Sequence, residues 1–476
     1  MVGAGAGVRS SPQPRTADNF EVVGRSPLLR RGMNAAPAIF RDYMYVGNRT
    51  DGSRGHKRPG VLVVDISKPR RPDVVGQIGA PNEGNVGETS RELRVWPQQK
   101  LLIVMNFACS AFIHECADVP VTPTFKFYDI AGKHAAQPRL LTTYVPPAKP
   151  HEMYLWVDPD ERDRALLYYS TPTTDVEGPN IIVADISNAR DGEVEEIASF
   201  NPNRRFAKPV LRKRTVAVHS LALNASGRRA YISYLGGGFL VADTSDFARG
   251  LKEPRMRLVT PARNRVPYTN PGAHSAVKVP GSPHVLLTEE VYGDLLDYED
   301  EDSGFVDDHG CPWGWVKIAS IRDQANPEVI ADYRTRQNKP SYCDTGAGQN
   351  PRNTERTSYA AHNPTVLRRL AFVTWHSSGL QAISLADPRN PRQVGMFSPK
   401  PLDRVVTEDP ALSGGINKVV MWSYPIIKDG LIYVVDVRNG LYVLRYTGPH
   451  ALSVKNIHFY EGNSNLGAAV RLEAGR

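Results

Sequence analysis

The chain has 476 residues, 41% of them hydrophobic, and carries a formal net charge of +8. It contains no apolar run of about 18 residues, so no membrane-spanning helix is expected. The charge is modest for this length and forms no basic stripe interleaved with aromatics, which argues against nucleic acid as a partner.

Taken in order, Met1 to Asn19 is small, polar and Pro-containing. It lacks the hydrophobic stretch of a signal peptide and reads as a flexible tail, residues 1–19. Glu21-Val-Val-Gly-Arg-Ser26 follows. Next come two short apolar runs, Tyr43-Met-Tyr-Val46 and Val61-Leu-Val-Val-Asp65, and then Pro69-Arg-Arg-Pro72-Asp-Val-Val-Gly-Gln77. Runs of about 4–8 β-branched or aromatic residues between turn residues are strands. The second run recurs as Phe127-Tyr-Asp129, Val183-Ala-Asp185 and Val241-Ala-Asp243. Looser copies are Ile318-Ala-Ser320, Ala382-Ile-Ser384 and Val443-Leu-Arg445. Positions 65, 129, 185, 243, 320, 384 and 445 are separated by 64, 56, 58, 77, 64 and 61 residues. A repeated strand-rich unit of this length predicts an all-β fold, a seven-bladed β-propeller with four antiparallel strands per blade. Residues 20–448 form the propeller and residues 449–476 a C-terminal extension. The last unit runs out of sequence after three strands. Glu21–Ser26 matches Asp73–Gln77, so an N-terminal strand is expected to complete the last blade and remove two raw sheet edges.

Four cysteines are an even, sparse count. Cys109 and Cys116 share one loop, and Cys311 and Cys343 flank blade-five sequence. Two loop-stapling disulfides are the preferred reading, with four thiols or half a zinc site including His114 as alternatives. Disulfides would place the protein in an extracytoplasmic or secreted setting, its export signal absent from this sequence. A cytoplasmic setting goes with the thiol reading. The acidic run Asp294 to Asp308 lacks EF-hand spacing and reads as a solvated loop.

The informative positions start the innermost strands. Blades three to six begin with His151, His219, His274 and His362. The same slot holds Arg91 in blade two, Ser423 in blade seven and Ala35 in blade one. Innermost strands line the central channel, so equivalent positions form a ring. Imidazoles around one axis suit a transition metal ion such as copper, iron or zinc. Arg91 and Glu152 are the candidate substrate-binding residues, Arg91 for an anionic group. Glu152, Glu289 and Glu290 are close enough in sequence to orient the ring N–H groups. The bland alternative is a repeated hydrogen-bond bracket between blades. Trp96, Trp156 and Trp422 read as inter-blade core, and His376, at a hairpin turn, as surface. No nucleophile motif identifies a catalytic residue.

With the markers placed, the chain resembles the LVIVD-repeat β-propellers over about residues 20–448. The resemblance implies the fold and frequent export but no chemistry. More distantly, one histidine per blade is similar to the selenium-binding protein/methanethiol oxidase group and the carotenoid oxygenases, whose axial histidines are associated with a metal. Two functions are therefore expected. One is a monomeric scaffold presenting loops 50–59, 108–123 and 294–312 to a protein, glycan or small molecule. The other is a metal-dependent oxidoreductase or hydrolase acting on a small molecule at the channel mouth.

Overall fold

The computed structural model describes residues 16–53, 55–79, 87–109, 117, 119–205, 217–267, 272–290, 312–345, 358–409, 413 and 417–475. The acidic run Asp294–Asp308, Cys116, Cys311 and His114 lie outside them. Neither Cys109 nor Cys343 is a free thiol.

Every repeat marker is the third strand of a four-stranded antiparallel unit. Blade three is the plainest: Met153–Val157, Ala165–Ser170, Ile181–Asp185 and Glu195–Phe200, in that spatial order. The units of blades one and two are joined through a single pair, Asn48 with Ser90. In blades one, three and four the third strand is buried up to its last residue, the half-buried marker Asp; in blade two the marker Asp129 is itself buried. The marker's role is local. The Oδ1 of Asp65, Asp129, Asp185 and Asp243 accepts the backbone N–H two residues on, at 2.8, 3.1, 2.8 and 2.9 Å. That Asx turn ends the strand and starts the crossing to the outer strand. Asp185→Ala is expected to cost about 1 kcal/mol, read as a lowered denaturant midpoint.

The ring closes as the repeat pattern predicts. Phe20–Ser26 pairs antiparallel with Gly440–Tyr446, giving blade seven its outer strand from the other end of the chain. The tail boundary needs correcting. Thr16–Asp18 already pairs with Met396–Ser398, so ordered structure begins before residue 19. The outer edge of blade six offers unpaired backbone groups, and the passing chain satisfies them.

Between blades, Trp96 and Trp156 are buried, and each indole N–H reaches the next blade, at Arg162 O (3.3 Å) and Ala225 O (3.2 Å). Gly227, at φ +70°, leaves room for the Trp156 ring, which a Cβ there would approach to 2.4 Å. Among the described residues, no helix is long and apolar enough to cross a membrane.

Candidate metal centre

Each blade's first two strands are antiparallel, so the start of the first and the end of the second lie on one face. That face collects two rings of side chains. The first holds the expected slots. The second holds the residues that follow the second strands, among them Arg49 after Tyr43–Asn48, Glu290 after His284–Glu289 and His376 after Leu370–Trp375.

Five imidazoles line one arc. Ring centroids lie 4.5 Å apart for His151–His219, 4.1 Å for His219–His274, 3.9 Å for His274–His362 and 5.2 Å for His362–His376. Glu290 reaches into this arc. Its carboxylate is 3.2 Å from His362 Nε2, 3.3 Å from His376 Nε2, 3.5 Å from His274 Nε2 and 3.9 Å from His219 Nε2. Metal–nitrogen bonds of 2.0–2.1 Å put tetrahedral donors roughly 3.4 Å apart, which these spacings match. Two donor groups lie within 4.8 Å of one another: His274, Glu290 and His362, and Glu152, His219 and His274.

The outer ring nitrogens fix how the imidazoles point. His362 Nδ1 lies 2.6 Å from the Trp422 carbonyl, which can only accept, so Nδ1 carries the proton and Nε2 the lone pair. His274 Nδ1 meets Ser275 Oγ at 2.8 Å. That hydroxyl spends its own proton on Asn363 Oδ1, so it accepts from His274, and again Nε2 is left with a lone pair. His376 Nδ1 lies 2.8 Å from Ser358 Oγ. Carbonyl and hydroxyl groups therefore orient these rings, not the carboxylates expected from sequence.

His274 Nε2, His362 Nε2 and Glu290 Oε1 are buried and find no hydrogen-bond partner. Such groups cost about 1–3 kcal/mol each when left unsatisfied. Burial also depresses the imidazoles: His219 and His376 are lowered to about 4, and His151 and His274 well below the usual value. Burial works against ionising Glu290, but His362 and His274 outweigh it and hold its carboxyl well below the usual range. With His219 and His376 neutral near pH 7, their rings can offer lone pairs to a cation beside the Glu290 carboxylate.

The structure thus brings His219, His274 and His362 together. His151 stands farther out, its Nε2 2.9 Å from that of His219, and belongs to neither donor group. His376 is not a surface residue: it is fully buried beside Glu290. Strand pairing carries the signal, because the residue after a second strand rises beside the start of the first. Glu289 faces away and pairs with Lys317, since successive strand residues alternate sides. Trp422 is buried, but its indole faces the site rather than a blade interface. It stacks on His376 (interplanar angle 12°) under the Arg49 guanidinium, 3.7 Å from the ring centre. Arg91 sits over Phe107, with Lys149 over the same ring.

No family model matches the chain, and no curated protein does. Solved structures resemble it in fold. Sqt1 from Chaetomium thermophilum is 11% identical, with 88% of this chain and 86% of that one covered at a TM-score of 0.47. Sqt1 from Saccharomyces cerevisiae is 8% identical, covering 90% and 99% at 0.49. The Cps50 (Swd1) β-propeller domain from Myceliophteria thermophila is 8% identical, covering 87% and 97% at 0.47. The Chaetomium Sqt1 was also solved bound to the N-terminus of ribosomal protein L10.

Proposed function

We propose that this β-propeller binds one transition metal ion at the channel mouth and acts there on a small molecule. The observation that carries this is the convergence of buried, unpartnered His274 Nε2, His362 Nε2 and Glu290 Oε1 at metal-ligand spacing. His219, His274, His362, His376 and Glu290 would hold the ion. Four imidazoles and one carboxylate suit copper, iron or zinc. Such an ion supplies Lewis-acid or redox chemistry when bound. Arg91, beside His151 at the rim, would pair an anionic group of the substrate, and Glu152 would face the same space. Protein purified without a histidine tag is expected to carry about one ion per chain by elemental analysis. Metal far below stoichiometry, with none taken up on titration, refutes this reading.

A scaffold is the second reading. A groove of about 620 Å³, lined by Arg265, Trp315, Asp332 and Arg334 among others, favours partner binding beside blade five. The two readings part on the ion: a chain that neither carries nor binds metal leaves the scaffold alone. The Cys109–Cys116 and Cys311–Cys343 pairings also remain proposals. A denaturing thiol titration is expected to find no free thiol, and with it an oxidising compartment.

A further inference from the structure

The C-terminal segment crosses the propeller axis. Phe459–Tyr460 pairs with Ile426–Lys428 as a fifth strand on the inner edge of blade seven. The Tyr460 hydroxyl donates to Val366 O on the inner strand of blade six, 2.8 Å away. Four residues later the chain is on the opposite side of the ring. There Leu155 N–H donates to Asn463 O (3.3 Å), and Ser464 bridges to Leu155 in parallel register. The Asn465 side chain accepts from Val157 N–H (2.8 Å) and donates to Val157 O (2.6 Å) and Ala225 O (3.0 Å), joining blades three and four. A segment hydrogen-bonded to the inner strands of blades seven, six and three must span the channel between them.

It also rises close to the histidines. A Cβ at Gly462 would come within 2.2 Å of Pro364 O and 2.6 Å of the Tyr424 ring. Pro364 is two residues beyond His362, and Tyr424 two beyond Trp422. Glu461, Asn463, Ser464 and Asn465 are all buried. Their polar groups are satisfied: Ser464 Oγ donates to Glu461 Oε1 (2.6 Å), and the Asn463 amide oxygen can take the Arg94 guanidinium at 2.9 Å. A fully bonded polar plug of this kind excludes water instead of conducting it.

We infer that residues 459–466 are the floor of the histidine chamber and make it blind. Ligands reach His274 and His362 only from the face that carries Glu290 and His376. The channel is not open from end to end, and the C-terminal segment sets the depth of the chamber. This concerns access alone and stands whether or not an ion binds.

The test uses metal-free protein and diethyl pyrocarbonate, which acylates imidazole nitrogen, with each histidine followed by peptide mass spectrometry. His151, partly exposed at the rim, is the internal reference. Ending the chain after Gly448 is expected to raise the rates at His274 and His362 relative to His151 by about tenfold or more, because a second entrance opens. Asn465→Ala keeps the segment but loosens it, and a severalfold rise in the same ratio is expected. Near-UV circular dichroism checks that each variant is folded. An unchanged ratio in a natively folded variant, truncated or Asn465→Ala, overturns the inference. If the truncated chain does not fold, the Asn465→Ala ratio decides alone.

Discussion

The His274→Gln chain is expected to bind a first-row transition ion at least about a hundredfold more weakly than the wild type, more than the usual loss on removing an outer-shell partner. His274 should matter most because it alone belongs to both donor groups, and its Nε2 is buried without a hydrogen bond. Gln nearly fills the space of the ring, so little cavity is added. In the metal-free state the substitution removes a buried, unsatisfied nitrogen, and stability should change little. The difference appears on adding metal. An ion at about a thousand times its dissociation constant adds about 4 kcal/mol to wild-type stability by mass action. The same addition should leave His274→Gln almost unmoved. Isothermal titration with zinc or nickel, paired with denaturant midpoints, reads both effects. His151→Gln is the contrast: lying outside both groups, it should keep its affinity. Equal affinity in His274→Gln and wild type would show that the imidazoles are only a hydrogen-bonding bracket.

Acid should weaken the metal-free protein steeply. Burial lowers His219 and His376 from 6.5 to about 4. Above about pH 6.5 these rings are neutral both folded and unfolded, so they add no pH dependence. Below that, the unfolded chain takes up protons that the folded chain refuses, and stability falls until the pH passes about 4. Each ring contributes about 3 kcal/mol over that window, from 1.36 kcal/mol per pKa unit. Glu290, held low by His362 and His274, acts in the same direction, since its stabilising charge is lost as pH falls. Denaturant unfolding at pH 7.5 and pH 5 should therefore differ by several kcal/mol, and His376→Gln should remove roughly one proton from the linkage slope. A flat stability profile between pH 7.5 and 5 would mean that these rings titrate as if in water.

Features set by neighbours in sequence were legible without a fold. The marker Asp caps its own strand through the N–H two residues on, so Val61–Asp65 and its copies declared themselves. Their period predicted the blades and the closing strand Phe20–Ser26, because each blade must pair its edge. The slots of His219, His274 and His362 followed from the same period. What lay beyond it depended on pairing between strands. Glu290 and His376 enter the site because antiparallel hairpins return the second strand to the first strand's starting face. Glu289 and Glu290 differ only in which side of the strand they occupy. That parity is sensitive to local irregularity, such as the register shift between Ala273 and Ser275. The crossing of residues 459–466 was beyond reading from sequence for a related reason. Asn465 bonds to Val157 and Ala225, 308 and 240 positions away, and hydrogen bonds between residues so far apart leave no local pattern in a chain.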